Sequence, residues 1–403
     1  MGLIQPFAAV RPRPELAARI CAPPYDVLST EEARAMAEGN PLSFLRVSKP
    51  EIEFPPHQDP YAPEVYARAC ENFRRMLREG ALMQEPAPAY YLYQQRMGRH
   101  VQTGLVAAAS CAAYLEGKIK KHELTRPDKE DDRLRHIEVV GAQTGPAFLV
   151  YRSQPALDEF MAQKTAVAPE VEFTAPDGVR HAAWTVRDPS EMDFIGRAFA
   201  ALSALYIADG HHRTAAAARL YQKRGSGPAA WFLAVIFPHH QLQILPYNRV
   251  LKDLNGLTPA RLWERLQNVL EVLPDPGPVP ARKHELCFYH AGKWHRLRWK
   301  DGVASAPHAV ERLDAALLQQ HVLQPVFGID NPRTSERIAF IGGIRGPAEL
   351  ERLVNSGEYA AAFSLHPTTL EDMMQVADEG GIMPPKSTWF EPKLRDALFI
   401  HLI

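Results

Sequence analysis

The sequence is poor in the features that would place it outside the cytoplasm or on nucleic acid. Its 403 residues hold four cysteines, Cys21, Cys70, Cys111 and Cys287, with no CxxC and no close Cys/His spacing. Neither a disulfide framework nor a zinc ribbon is indicated, and reduced thiols are expected. The most apolar stretch, 104–114, falls far short of the ~20 residues that a membrane span needs. The N-terminal segment lacks a charged region followed by a sustained apolar one, and Pro6 spoils a myristoylation pattern. Net charge is lacking too, since 46 Lys+Arg face 47 Asp+Glu. That balance removes the long-range attraction of a general nucleic-acid binder but leaves room for a local basic pocket. The expectation is a soluble cytoplasmic protein with no nucleic-acid or membrane partner.

Proline, by contrast, is abundant at 35 of 403 residues, above the usual level of roughly 5%. Hydrophobic residues at 46% and charged residues at 23% are ordinary for a globular chain. Patterned segments alternate between strand and helix. AYYLYQQRM, VQTGLVAAASCAAYL, PAFLVYR, ALYIAD and AAWFLAVIF read as strands, the last two buried. STEEARAMAEG, EVYARACENFRRMLREG and HHRTAAAARLYQKRG read as helices with glycine stops. A composition break at 246–260 precedes the amphipathic PARLWERLQNVLEVL, the rigid loop 274–280, a hairpin around Ala291-Gly292 and further mixed elements. The predicted fold is α/β, with α+β as the alternative, built on a mixed sheet. Two domains are expected, 1–250 and 251–403, the second carrying MPPKSTWFEPK.

Four segments concentrate polar chemistry. In ALYIADGHHRTAAAARL a buried strand ends at Asp209, Gly210 permits a tight turn, and His211, His212 and Arg213 open a helix. Free amides, the helix dipole and an Arg fork would together bind a phosphate; the bland alternative is a helix start with two surface histidines. The stretch 118–136 carries seven Lys/Arg and five Asp/Glu. Read as a loop in which Pro127 stops regular structure, it offers His122 and Glu123 for proton transfer. Arg126, Lys129 and Arg133 would clamp phosphate there, and Glu130 and Asp132 would hold Mg2+. A solvated charged face is the competing interpretation. In GIMPPKSTWFEPK, Lys386 and Ser387 are candidate phosphate contacts or plain turn residues. Asp26, in CAPPYDV, is a candidate acid or a turn acceptor, and Thr144 lies in a small turn, TGP, that could approach a ligand.

Together APPYDV, NPLSFL, IKKHELTRPDKEDDR, TGP, GVRHAAW, YIADGHHR, PYNRVLKDL and MPPKSTWFEPK resemble a bacterial and archaeal family catalogued as domain of unknown function 1015. The DGHHR turn is also similar to the phosphate-binding turn of the ParB/sulfiredoxin-like superfamily, and most of all to the DGHTR turn of free serine kinases. The resemblance implies that Asp209, Gly210, His211 and Arg213 serve nucleotide phosphates, with His212 standing where those kinases have Thr. It implies a nucleotide-dependent kinase, with ATP or ADP as donor and Mg2+, acting on the hydroxyl of serine or a similar polar metabolite. Glu123 or Asp26 would be the base. A metal-dependent phosphoester hydrolase and a non-catalytic ParB-like nucleotide-binding regulator are the alternatives. The expected partners are nucleotide and small-molecule substrate; a homodimer is compatible with the sequence.

Overall fold

The computed structural model describes residues 2–403. The chain divides into two compact units, Met1–Leu242 together with Pro392–Ile403, and Gln243–Glu391. The expected boundary at 250 therefore falls slightly late. The last residues also leave the second part: Val10 pairs with Ile400, Ala22 with Asp396, and His401–Leu402 with Ala142–Gln143. Backbone hydrogen bonds between segments distant in sequence override the linear division.

The first unit is built on a mixed sheet. Its spatial order runs Ile119–Lys120, Leu205–Asp209, Ala147–Tyr151, Trp231–Pro238, His100–Ser110, Tyr90–Met97, Arg180–Val186 and Val171–Thr174. Leu205–Asp209 pairs parallel with Ile119–Lys120, and Trp231–Pro238 parallel with Ala147–Tyr151; the remaining neighbours are antiparallel. The fold is thus mixed α/β, as the sequence pattern implies. Leu105, Ala107 and Ala109 point to one face, among Leu149, Ile207, Phe232 and Ile236. Side chains alternate along a strand, so Val106 and Ala108, also buried, belong to the other face.

Two sequence readings change here. VQTGLVAAASCAAYL is not one strand, because Ser110 caps the Ala113 amide at 3.1 Å and starts a short helix, Cys111–Leu115. Nor is 118–136 a loop: Pro127 opens the helix Pro127–Val140. A proline in the first turn costs no hydrogen bond and comes with a helical φ. Gly141, at φ +73°, then ends the helix in the left-handed conformation.

The second unit has a six-stranded sheet, antiparallel throughout, in the order Leu270–Val272, Lys293–Trp299, Glu285–His290, Ala361–Leu365, Tyr247–Leu251, Ile338–Gly342. A separate ribbon pairs Gln243–Leu245 with Trp389–Glu391, which gathers the start and end of this unit. No helix among the described residues is long and apolar enough to cross a membrane.

Gly104 tests how tightly the first sheet is packed. A Cβ there would lie 2.8 Å from Val235 Cγ1 and 2.9 Å from the Phe237 ring. Gly104→Ala is expected to lower stability by about 1–3 kcal/mol through overpacking, read as a shift of the urea midpoint at unchanged slope.

Candidate functional site

Leu205–Asp209 runs buried to its last residue, and Gly210, at φ +87°, turns the chain into the helix His211–Arg224. A Cβ at 210 would also sit 3.1 Å from Arg213 Nε and 3.3 Å from the Ala147 Cα, so both conformation and space demand glycine. The N-cap residue, Gly210, brings no capping side chain, so the helix presents its first-turn amides and the positive end of its dipole beside Asp209.

Asp209 is the first fixed charge. Its Oδ1 accepts the Gly210 amide at 2.7 Å and its Oδ2 accepts Lys393 Nζ at 2.9 Å. Burial alone would raise its pKa; the Lys393 ammonium and the Arg213 guanidinium overcome that and hold the carboxyl well below the usual range. Arg213 donates Nη1 to the Pro146 carbonyl at 2.6 Å, and its Nη2 lies 3.8 Å from both Asp26 and Asp209. Burial opposes its charge, but the Asp26 and Asp209 carboxylates more than restore it. Its Nε has no partner among the described residues.

Arg213 helps to line a cavity of about 30 Å3, with Tyr25, Arg133, Thr144, Gly145 and Asp396 among the other walls. Arg133 stacks over the Tyr25 ring at 3.9 Å and gives Nε and Nη2 to Asp132 Oδ2 at 3.0 and 2.8 Å. Asp132 Oδ1 in turn accepts the Tyr66 hydroxyl at 2.7 Å. Asp396 is 2% exposed and its Oδ1 has no partner among the described residues. Gly145 stands so close that a Cβ would meet that oxygen at 2.5 Å. Burial pushes the Asp396 carboxyl up to about 7; Asp26 adds to the rise, while Arg213, Arg133 and Arg395 oppose it. One acid is therefore firmly ionised and another holds its proton near neutrality, in one small region.

The histidines are neutral here. The His122 and His211 rings meet edge to face with centroids 4.6 Å apart. Burial lowers His122 to about 4, and burial together with its neighbour His122 drives His211 well below the ordinary value. His212, also lowered first by burial, accepts the Arg126 amide on Nε2 at 3.1 Å, which puts its ring hydrogen on Nδ1. These rings can donate or accept a hydrogen bond but bring no positive charge at neutral pH.

The structure thus gathers His122, Asp209, Gly210, His211 and Arg213 at one turn, with Thr144 and Arg133 on the cavity wall. Glu123 lies beside them, 3.9 Å from His211 Nδ1, and its side chain is 43% exposed. The remaining expected residues are elsewhere or engaged. Arg126 pairs with Asp128 on the surface and Lys129 donates to the Tyr61 hydroxyl at 2.9 Å, so neither clamps the cavity. Glu130 accepts from Thr125 and, at 3.2 Å, from Arg219, while Asp132 is held by Arg133 and Tyr66. The pair does not fit a resident Mg2+ ion: helical spacing sends the two acids to different partners. Among the described residues no group of three or more His, Cys, Asp or Glu side chains is placed to hold a metal. Lys386 and Ser387 belong to the second unit, where Lys386 Nζ lies over the Tyr247 ring and Ser387 Oγ donates to the Pro384 carbonyl at 2.7 Å.

One site residue has a different role from the one expected and one is new. Lys393, which with Lys386 frames the MPPKSTWFEPK motif as a candidate phosphate contact, is the partner of Asp209. Asp396 was not singled out, although an Arg-Asp pair inside the otherwise apolar ending LRDALFIHLI is the signal that a buried ionic function lies there. Both are fixed by the returning C-terminal segment. Gln95 Nε2 donates to the Lys393 carbonyl at 2.8 Å, the Ala397 amide to the Thr144 carbonyl at 3.1 Å, and Arg395 Nε to His181 Nε2 at 3.2 Å.

A carboxyl whose folded pKa is raised keeps its proton in the folded state after the unfolded chain has lost it. The stability it confers is complete below the unfolded value and drains away as pH climbs toward about 7. Asp396→Asn is therefore expected to exceed the parent protein in stability by roughly 3–4 kcal/mol near pH ~8 and to come close to it near pH ~4. Thermal melts of both proteins across that interval check this.

No curated protein sequence matches the chain. Among solved structures, a free serine kinase variant in complex with ADP is 15% identical, with a TM-score of 0.37, over 73% of this chain and 92% of its own. A conserved hypothetical protein from Pyrococcus furiosus is 16% identical, with a TM-score of 0.37, over 74% of this chain and 95% of its own. SbnI with C-terminal truncation from Staphylococcus aureus is 11% identical, with a TM-score of 0.39, over 74% of this chain and 87% of its own. The family described as "Protein of unknown function (DUF1015)" matches residues 4–316, well over half of the sequence, and the chain belongs to that family.

Proposed function

We propose that this protein is a nucleotide-dependent kinase that phosphorylates a hydroxyl of a small polar metabolite, serine being the type implied by the DGHHR turn. The observation that carries the proposal is Arg213, a buried guanidinium in the first turn of a helix whose N-cap is Gly210, with one donor nitrogen unpartnered among the described residues and a second guanidinium, Arg133, on the same cavity wall. Phosphoryl transfer asks a protein mainly for position and charge stabilisation, and these groups supply both. The first-turn amides of His211–Arg224 and the Arg213 fork hold the phosphates of ATP or ADP. As the substrate oxygen bonds to phosphorus, the bond to the departing nucleotide oxygen breaks and the hydroxyl proton passes to a carboxylate.

Glu123 is the first choice for that base, since it is accessible and stands beside His211. Asp26, 3.8 Å from Arg213, is the second. A metal-dependent hydrolase has less support, because Glu130 and Asp132 serve Arg219, Arg133 and Tyr66 rather than a common point. No step is assigned to a metal.

Thermal shift with ADP, ATP and pyrophosphate tests the nucleotide part. Stabilisation by a few degrees is expected, and Arg213→Ala is expected to lose it while keeping the native circular dichroism spectrum. Mass spectrometry of serine incubated with protein and nucleotide tests the transfer. Glu123→Gln should retain nucleotide binding and lose turnover by about 10²-fold or more. Full turnover in Glu123→Gln with none in Asp26→Asn would move the base to Asp26, and no thermal shift with any nucleotide would sink the kinase.

A further inference from the structure

Two residues on the cavity wall each hold a buried polar atom with no partner among the described residues: Arg213 Nε, a donor, and Asp396 Oδ1, an acceptor whenever the carboxyl is ionised. Neighbouring groups do not relieve them. Arg133 is turned to Asp132, His136 Nε2 bonds the Val47 carbonyl at 2.8 Å, and Gln143 bonds the backbone of Trp231 and Leu233. Burying such atoms unpaired costs about 1–3 kcal/mol each, so the pair points to an occupant that accepts from a guanidinium and donates to a carboxylate.

A carboxylate or sulfate ligand meets only the first demand. A tetrahedral oxyanion that still bears a hydrogen meets both: one oxygen accepts from Arg213 and its P–O–H donates to Asp396. Size agrees, because about 30 Å3 exceeds the roughly 10–15 Å3 that one water requires and suits a single phosphate group rather than a nucleoside. Gly145 is part of the fit, since any side chain there would strike Asp396 Oδ1.

We propose that this cavity binds the phosphate group of inorganic phosphate or a phosphomonoester in a hydrogen-bearing form, with Asp396 sharing that hydrogen. This rests on Arg213 being a phosphate ligand, as in the proposed function, and not on phosphoryl transfer. Asp396 thereby becomes the group that distinguishes phosphate from sulfate, and it couples binding to a proton. The titratable groups around it are Tyr25 and Asp26 from the Tyr25–Val27 turn, Asp132, Arg133 and His136 from Pro127–Val140, Arg213, Arg395 and Cys21. Of these acids, Asp26 and Asp132 are already beside Arg213 and Arg133, which leaves Asp396 as the buried acid of the cavity wall without an ion-pair partner among the described residues.

Calorimetric titration of the full chain with inorganic phosphate and with sulfate tests this without any variant. Near pH ~8 phosphate should bind at least about tenfold more tightly than sulfate, the worth of one charge-assisted hydrogen bond. Near pH ~5.5 Asp396 carries its own proton and can donate to either anion, so the preference should narrow to about threefold or less. Asp396→Asn, whose amide donates to both anions at every pH, should abolish the preference. Equal binding of the two anions near the higher pH, or binding of neither, overturns the proposal; the latter would mean that water alone occupies the cavity. Phosphate preference without transfer to serine sinks the kinase alone, whereas transfer without the preference sinks this inference alone.

Discussion

The Asp209–Lys393 ion pair ties the end of an interior strand to a segment 184 residues further along the chain. The rest of the candidate site depends on that tie. It brings the C-terminal segment across the DGHHR turn, and with it Asp396. Backbone bonds of Ala22 with Asp396, and of Ala397 with Thr144, complete the closure. A buried pair of this kind adds little net stability, because desolvation offsets most of the attraction, but breaking it strands a charge. Its value is positional: the chain can close only in the arrangement that satisfies Asp209.

Charge is then distributed unevenly over a short distance. Asp209 is held ionised by Lys393 and Arg213, while Asp396, next to it in function but short of a dedicated cation, is held near its protonated form by burial. The neutral pair His122 and His211 adds polar atoms without adding charge. The overall balance of 46 basic and 47 acidic groups conceals this. Arginine suits both cation positions because its planar fork serves several acceptors at once and stays charged when buried: Arg133 covers Tyr25 and Asp132, and Arg213 covers Pro146, Asp26 and Asp209.

The strand–turn–helix around DGHHR was legible because its signals are local: a buried strand, a glycine and an Ala-rich helix follow one another within twenty residues. The helix in STEEARAMAEG was legible for the same reason, and the structure adds that Ser29 and Glu32 close its start as a capping box. The charged motif misled because Pro127 carries two opposite local meanings, an end to regular structure or the first turn of a helix, and composition does not separate them. Once the helix forms, Arg126 and Lys129 turn to the surface while Asp132, Arg133 and His136 turn inward. Asp396 was hidden for a different reason. Its role comes from Tyr25, Gly145 and Arg213, which are far away in sequence, and no window of the chain contains them together.

The proline excess finds much of its explanation in the same device. Six α-helices carry proline in the first two positions: those beginning at Pro63, Pro127, Pro155, Pro189, Pro259 and, one residue in, Gly346 with Pro347. A first-turn proline has no intrahelical bond to lose, and its fixed φ lowers the entropy of the unfolded chain. Loop stiffening at Pro23, Pro24 and Pro146 remains, since these flank Tyr25 and Gly145 at the cavity. At Pro127 the consequence is functional: where the helix starts sets its phase, and its phase decides that Arg133, rather than Lys129 or Arg135, faces Tyr25 and the cavity. A one-residue slip of that start would rotate the inward face by about 100° and replace the buried guanidinium by a different side chain, so the proline constrains the site as well as the fold.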